Sequence, residues 1–549
     1  MSDISAYTEY REALVAPAST DAWNVYGKGV ESVGRDGQSE RVPVAAPGPG
    51  QLLVRVDAVG LCFSDVKLIR QGGEHPKLYG RDLAKEPTRL GHEATVTVIA
   101  AGRDLASRFH AGQRLAIQPD IYVAGRSTAY GYTIPGALIG YHLIGPEVLA
   151  ADDGAYVIPV PDGLGYAEAA LTEPWATVEA AYSQRRRVRP APGGRALVIA
   201  RAGDAKTYRL GDALAGSREV VRAVDDVPSG PFDDILMLGP RSASLVSRAA
   251  DALDFRGVLN IVADEPLDGA VDIDIGRLHY HYTAYVGTTG LDVAAAYGEA
   301  RNRAELRPSG VTLVVGAAGP MGQMHIERAL RMRNGPRAVI GVDPNAERLA
   351  LAEERLRPTA AATGRRLVTA TGEDLADLIR TETGGRGADD VIVTAPTVDA
   401  VRAADRVMAA DGMLVLFAGL PVGTRASVAL SRAFLNGAQY TGTSGSRISD
   451  QELVVRKTVA GELAPGRAVA AVGGMEAAPE GLRALMENRY AGKIVIFPQL
   501  RGLPLTSLSD LARQDPEISA ALGEGGTWTN GAEAVLFARY LVRDAVTRR

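Results

Sequence analysis

The stretch VTLVVGAAGPMGQMHIERAL, residues 311–330, carries the reading that decides the fold. A run of apolar and β-branched residues makes a buried strand, glycines punctuate a turn, and an amphipathic segment follows as a helix. Gly316, Gly319 and Gly322 stand as GxxGxxG, with Pro320 and Met321 between the last two. Glycines let backbone approach a pyrophosphate, and the N-terminus of the next helix offers N–H donors and a favourable dipole. A second strand, RAVIGVD, ends in Asp343, 21 residues beyond Gly322. A carboxylate there accepts from adenosine ribose hydroxyls and repels a 2′-phosphate, so the spacing predicts NAD, with NADP less favoured. Arg348, on the following helix, reads as solvated.

Working outward, the same pattern occurs twice. DDILMLGPRSASLVSRAADALDFRGVLNIVA, from Asp233, matches DDVIVTAPTVDAVRAADRVMAADGMLVLFAG, from Asp389. YVGTTG, with Gly287, matches YTGTSG, with Gly442, at offsets of 156 and 155 residues. RALVIARAG at Ala196 resembles VTLVVGAAG at Thr312, but the distance to the Asp-Asp pair is 37 residues in the first copy and 77 in the second. The repeat predicts two tandem nucleotide-fold modules, the first shortened by about a strand, a helix and a strand. Its turn, ARAGDAKTYRL, keeps only Gly203, and no acidic residue is read at the matching strand end. The first module is therefore expected to be scaffold. Strands ending at Gly287 and Gly442 are expected to pair edge to edge within one chain.

Upstream of about residue 190, short β-branched runs separated by Gly, Pro and Asp predict a mainly β domain. The expected boundaries are 1–190, rejoined by a returning segment at 481–500, then 191–305, 306–480 and a helical tail at 501–549. The tail's last helix is read from Asn530 and Glu533 in capping-box spacing. It is expected to pack on a neighbouring domain or subunit.

A chain of 549 residues with net charge −5 and scattered Lys and Arg lacks the basic stripe that nucleic acid requires. No apolar run reaches membrane-spanning length, and the acidic, polar N-terminus is unlike a secretory signal. A cytoplasmic enzyme, open to homo-oligomerisation, is the expectation. The single cysteine, Cys62, excludes intramolecular disulfides and every multi-cysteine zinc cluster.

Cys62-Phe63-Ser64-Asp65, Gly91-His92-Glu93 and Glu173-Pro174 carry residues suited to a catalytic zinc. Such a site takes three N, S or O ligands and keeps a fourth position open, where the metal polarises an alcohol or carbonyl oxygen. Read singly, each residue has an ordinary explanation: a buried thiol, a core histidine, solvated carboxylates. Their conjunction is what points to a metal.

With V-G-L-C-x-S-D, G-H-E, E-P and the G-A-A-G-x-x-G turn together, the chain resembles the zinc-containing medium-chain dehydrogenase/reductase superfamily, over nearly its whole length to about residue 500. The resemblance implies an α/β plus mainly-β fold: a GroES-like catalytic domain, two Rossmann-type modules with the first abridged, and the tail. It implies Cys62, His92 and either Glu93 or Glu173 as zinc ligands, Ser64 as the relay for the substrate's proton, and Asp65 as the group that orients the histidine. It departs from many members in having no four-cysteine lobe, and in carrying Lys67 where a histidine often extends the proton relay. Within the superfamily the sugar-phosphate and polyol branch is most similar. This implies hydride transfer between NAD(H) and a secondary carbinol of a polyol, sugar, sugar phosphate or cyclitol. His75, Lys77, Arg81 and Lys85 are candidates to hold a phosphate or hydroxyls, or else form a polar surface loop. Rival readings are a zinc-free quinone or enoyl reductase, and an inactive nicotinamide-binding scaffold.

Overall fold

A computed structural model describes residues 5–299 and 301–541. The chain divides into two compact units, residues 1–177, 351–358 and 445–549 in one, and 178–350 and 359–444 in the other. Apart from the short segment 351–358, the return to the first unit begins at Gly445, earlier than the 481 read from the sequence. The reason is the strand Val469–Gly474, which pairs with Lys493–Phe497 and belongs to the first unit's sheet.

The first unit is built on an eight-stranded sheet whose central strand, Leu52–Leu61, is buried at every residue. Glu93–Ala101 flanks it on one side and Lys493–Phe497 on the other, both antiparallel. The β-branched runs pack a core that includes Val54, Val56, Val96 and Ile494. Even the charges in this strand are satisfied: Arg55 pairs with Asp57 at 2.7 Å, and Asp57 also accepts from Tyr10 and Thr97, each at 2.6 Å. The tail folds onto this same unit. Thr529, rather than Asn530, caps its last helix, Asn530–Tyr540. Glu533 is freed from any box and buried, and it caps a different helix, Tyr166–Ala170, accepting from Tyr166 N at 2.6 Å and Ala167 N at 2.9 Å.

The second unit holds both repeats. The first forms a five-stranded parallel sheet, ordered Glu219–Val224, Arg195–Ala200, Phe232–Leu238, Leu253–Val262, Ala284–Thr288. The second forms a six-stranded one, ordered Arg366–Ala370, Ala338–Val342, Val311–Val315, Ala388–Val393, Met408–Leu416, Gln439–Gly442. A register shift falls at the same place in both, between Phe232 and Asp234 and between Ala388 and Asp390. Among the described residues the first copy lacks counterparts of the helices Pro320–Arg331, Ala346–Thr363 and Leu375–Thr383 and of the edge strand Arg366–Ala370. That is more helix and less strand than the spacing implied.

The expected edge-to-edge pairing is overturned, because the strands ending at Gly287 and Gly442 lie in separate sheets. The two copies meet instead through equivalent strands, Val271–Asp274 and Arg425–Val428, which pair antiparallel. The contacts are reciprocal. A Cβ at Gly287 would lie 2.4 Å from Phe434 Cβ, on the helix Ser431–Leu435, and one at Gly442 would lie 2.7 Å from the carbonyl oxygen of Leu278, on Ile275–Tyr280. Helices close over the terminal strands and cover the edges that pairing would have hidden. One core, including Leu259, Leu278, Leu414 and Phe434, runs through both copies.

Candidate functional site

In the first unit the central strand Leu52–Leu61 ends directly at Cys62, the N-cap of helix Phe63–Gln71. Asp65, in that helix's first turn, locks the junction. Its Oδ2 accepts from Cys62 N at 2.9 Å, and its Oδ1 lies 3.2 Å from His92 Nδ1. One carboxylate therefore holds the backbone of Cys62 and stands beside the imidazole of His92. Burial opposes charge on His92, but Asp65 and the Cys62 sulfur hold the ring well above its ordinary value. Gly91, at φ +94°, makes the turn that delivers His92, and a Cβ there would meet Val59 at 2.8 Å. Ser64 Oγ stands 3.7 Å from Cys62 Sγ.

Glu93 opens the next strand, cross-paired with Gly60. Gly60 leaves it room, since a Cβ there would lie 2.2 Å from Glu93 Oε2. Donor atoms of Cys62, His92 and Glu93 all lie within 4.8 Å of one another. Glu93 Oε1 is ion-paired with Lys493, while Oε2 is buried with no hydrogen-bond partner. Lys493, also buried, is brought here by the last third of the chain, where Ile494 pairs with Leu61. The sequence reading missed it, as nothing local marks a lysine for a partner 400 residues away.

Glu173, on helix Thr172–Ala180, borders the cluster without joining its closest three. Burial pushes its carboxyl up to about 8, His92 pulls against that, and Glu93 adds to it. A thiol, an imidazole and a buried carboxylate converge here with a second carboxyl beside them, and Glu93 Oε2 is a buried acceptor with no hydrogen-bond partner. These residues fit a zinc ion of mixed S, N and O ligation.

Of the cations between the two motifs, Arg81 is taken up by the Thr133 carbonyl at 3.0 Å, and the exposed Lys85 pairs with Asp82 at 3.1 Å. His75 and Lys77 lie inward, against Tyr132, whose ring centroid is 5.9 Å from that of His92.

In the second unit the glycine turn has the expected form. Gly316 takes φ +92°, Gly319 caps helix Pro320–Arg331 with Pro320 in its first turn, and a Cβ at Gly322 would fall 2.2 Å from Gly316 O. Met321 follows Pro320 in that first turn. Asp343 ties the strand end to the turn, accepting from Ala318 N at 3.1 Å through Oδ2 and from Asn345 N at 3.1 Å through Oδ1. Arg348 is not solvated as read: it is half-buried, with its guanidinium 3.5 Å from Ala318 O.

The first copy corrects the reading of its own turn. Asp225, directly after strand Glu219–Val224, accepts from Ala202 N at 2.9 Å, as Asp343 does from Ala318. An acidic strand end is present after all. What is absent is the helix: residues 201–218 contain only the 3-10 turn Gly211–Leu214. Asp204 fills part of the space, held by Tyr208 at 2.6 Å and lying 2.2 Å from where a Gly239 Cβ would be.

Comparison with known proteins agrees with this geometry. Residues 48–170 match the alcohol dehydrogenase GroES-like domain and residues 320–459 the zinc-binding dehydrogenase domain. The chain is 24% identical to L-sorbose 1-phosphate reductase of Klebsiella pneumoniae, over 95% of this chain and 98% of that one. It is likewise 24% identical to mannitol-1-phosphate 5-dehydrogenase of Aliivibrio fischeri, over 89% and 92%. In fold it is similar to an alcohol dehydrogenase from Thermotoga maritima, with a TM-score of 0.54, 14% identity and coverage of 88% of this chain and 100% of the other. Among the described residues no helix is long and apolar enough to cross a membrane. With a thiol–imidazole–carboxylate cluster inside the GroES-like match and a glycine turn that leads into the zinc-binding dehydrogenase match, this chain belongs to the zinc-containing medium-chain dehydrogenase/reductase superfamily.

Proposed function

We propose that this chain is a zinc-dependent oxidoreductase that moves a hydride between NAD(H) and a secondary alcohol or ketone of a polyol, sugar or sugar phosphate. The observation that carries the proposal is the convergence of Cys62, His92 and Glu93 donor atoms within 4.8 Å. Cys62, His92 and Glu93 would hold the ion, with Glu173 beside them as the carboxyl able to replace Glu93. When bound, zinc supplies a Lewis acid for the substrate oxygen and the nicotinamide accepts or gives the hydride. Asp65, with Oδ1 3.2 Å from Nδ1 of His92, would orient the ring and leave Nε2 free to meet the ion. The ion pair with Lys493 fixes Oε1 of Glu93 and leaves Oε2 buried without a hydrogen-bond partner, the oxygen that would be offered to the ion. Ser64, whose Oγ lies 3.7 Å from Cys62 Sγ, would relay the carbinol proton, its oxygen accepting that proton in oxidation as its own passes to solvent, with the reverse transfer in reduction. In the second unit Gly316, Gly319, Pro320, Met321 and Gly322 would receive the pyrophosphate, and Asp343 the adenosine ribose.

The test pairs metal with turnover. Cys62→Ser should lose zinc by elemental analysis and lose NADH formation on a polyol and sugar-phosphate panel, with an unchanged melting transition, because this ion closes no structural site. Undiminished zinc in that variant would remove the assignment. Two zinc ions per wild-type chain would contradict a single cluster.

A further inference from the structure

Lys67 stands out among the charges near the metal cluster. It lies on helix Phe63–Gln71, five residues beyond Cys62, and is half-buried. Among the described residues no carboxylate or carbonyl meets its ammonium. Its electrostatic neighbours are the Cys62 sulfur and a second cation, Lys77, and burial together with Lys77 holds it below the usual lysine value. A half-buried ammonium with no carboxylate or carbonyl partner, and a second ammonium among its electrostatic neighbours, is costly unless an anionic group is supplied.

The surroundings complete the picture. Lys77 is half-engaged, its Nζ 3.3 Å from Asp120 Oδ1 and 4.9 Å from the centre of the Tyr132 ring. His75 packs on the same ring at 5.1 Å, and its Nδ1 accepts from Lys77 N at 3.2 Å. Burial and the two lysine charges push His75 down to about 4. The ring is therefore neutral, and with Nδ1 accepting, its proton sits on Nε2 as a donor. Tyr132 in turn lies against His92 at 5.9 Å, so the cationic group adjoins the metal cluster across a single aromatic ring. Lys67 and Lys77 against one Asp120 leave a net positive charge beside a hydrogen-bond donor, the chemistry that receives a phosphate monoester.

We infer that Lys67, with Lys77 and His75, forms the subsite for a phosphate group on the substrate, so that the chain prefers phosphorylated polyols or ketoses to their neutral parents. The inference rests on the dehydrogenase reading above and narrows its substrate class. Lys67 acts here as a binding residue for the phosphate and takes no part in moving the carbinol proton.

The experiment uses the full-length zinc-loaded protein and two probes. Calorimetric titration with inorganic phosphate reads the subsite without any turnover. Wild type should bind saturably, and Lys67→Met and Lys67→Gln should each bind at least ten-fold more weakly, with Lys67→Arg recovering most of the loss. Kinetics then compare hexitol phosphates with the parent hexitols. In Lys67→Met the ratio of kcat/KM for phosphate ester over parent should fall about 30-fold, the loss appearing in KM. Inorganic phosphate should compete with the hexitol phosphate and not with NAD. No saturable phosphate binding in wild type overturns the subsite, as does an unchanged ratio in both variants. Competition with NAD would assign the cation to the coenzyme, and an equal collapse of kcat on both substrates would make Lys67 a proton relay. Turnover of neutral hexitols without phosphate preference would defeat this inference alone. Phosphate binding without any NADH formation would defeat the dehydrogenase reading alone.

Discussion

The two copies in the second unit share their foundations and differ where a ligand would sit. In the first, Asp234 pairs with Arg187 at 2.7 Å and accepts from Ala191 N at 2.8 Å, while Asp233 accepts from Arg195 N at 2.7 Å. In the second, Asp390 pairs with Arg303 and accepts from Arg307 N at 2.7 Å, while Asp389 accepts from Val311 N at 2.8 Å. The Asp-Asp pair, buried in the second copy and with Asp233 half-buried in the first, thus staples the entering segment to the central strand in both. Even the strand-end acids, Asp225 and Asp343, make the same bond. The helix that would present its N-terminus to a phosphate remains in only one copy. Duplication kept the parts that hold a sheet together and released the part that binds, because foundation and binding are carried by different residues.

The sharpest break in this comparison is a side chain in the glycine turn. Gly322→Val, with Gly316 O only 2.2 Å from the new Cβ, should weaken NADH binding on the order of 1,000-fold, about 4 kcal/mol. Gly203→Ala, in the first copy's turn, meets nothing within 4 Å; its φ of +71° will cost some stability, but NADH affinity should stay within about two-fold. Fluorescence titration of wild type should show one NADH site per chain. Two equivalent sites would mean that the abridged copy still binds.

Next come the staples. Asp234→Asn and Asp390→Asn should each cost about 2–4 kcal/mol, since each strands a buried arginine contact and weakens a backbone bond. Denaturant melts would check this, and near-equal losses are expected. A loss in one copy only would show that their structural roles have parted. Burial raises both carboxyls above the ordinary aspartate value. The folded state then holds their protons more tightly than the unfolded chain does. Their contribution accordingly declines as pH rises from the unfolded aspartate value, about 4, through the raised folded one, and either Asn variant should flatten that slope.

The smallest effect concerns the strand ends. Asp343→Ala should shift the NAD-over-NADP affinity ratio about ten-fold toward NADP, since it removes a ribose acceptor and a repelling charge near the half-buried Arg348. Asp225→Ala should leave that ratio unmoved. A strong preference of the wild type for NADP would show that Arg348, and not Asp343, sets the choice.

Where chemistry depends on near neighbours in the chain, the residues were readable. Cys62 and Asp65 share one helical turn, and His92 and Glu93 share one turn into a strand, so their spacing is their geometry. Gly316, Gly319 and Gly322 were readable for the same reason, being steric requirements of a single turn. The repeat was legible as well, because the Asp-Asp staple repeats as residues and not only as shape. Asp225 escaped because the search in the first copy followed glycines. Its place 22 residues after Gly203, against 24 for Asp343 after Gly319, was a usable signal.

The sequence by itself determined the two architectures, the duplication and the thiol, imidazole and carboxylates of the cluster, because periodicity and short-range spacing encode strands, turns and local ligand sets. The tertiary structure alone decided that Lys493 would neutralise Glu93, that Glu533 of the tail would cap Tyr166–Ala170, and that Lys67 would have Lys77 among its electrostatic neighbours and no carboxylate partner among the described residues. It also decided that the copies would join through Val271–Asp274 and Arg425–Val428 instead of their terminal strands. The physical reason is common to all of these. A buried charge or an open strand edge must be satisfied by whatever the fold brings within a few ångströms, and that partner carries no mark of its role in the residues around it.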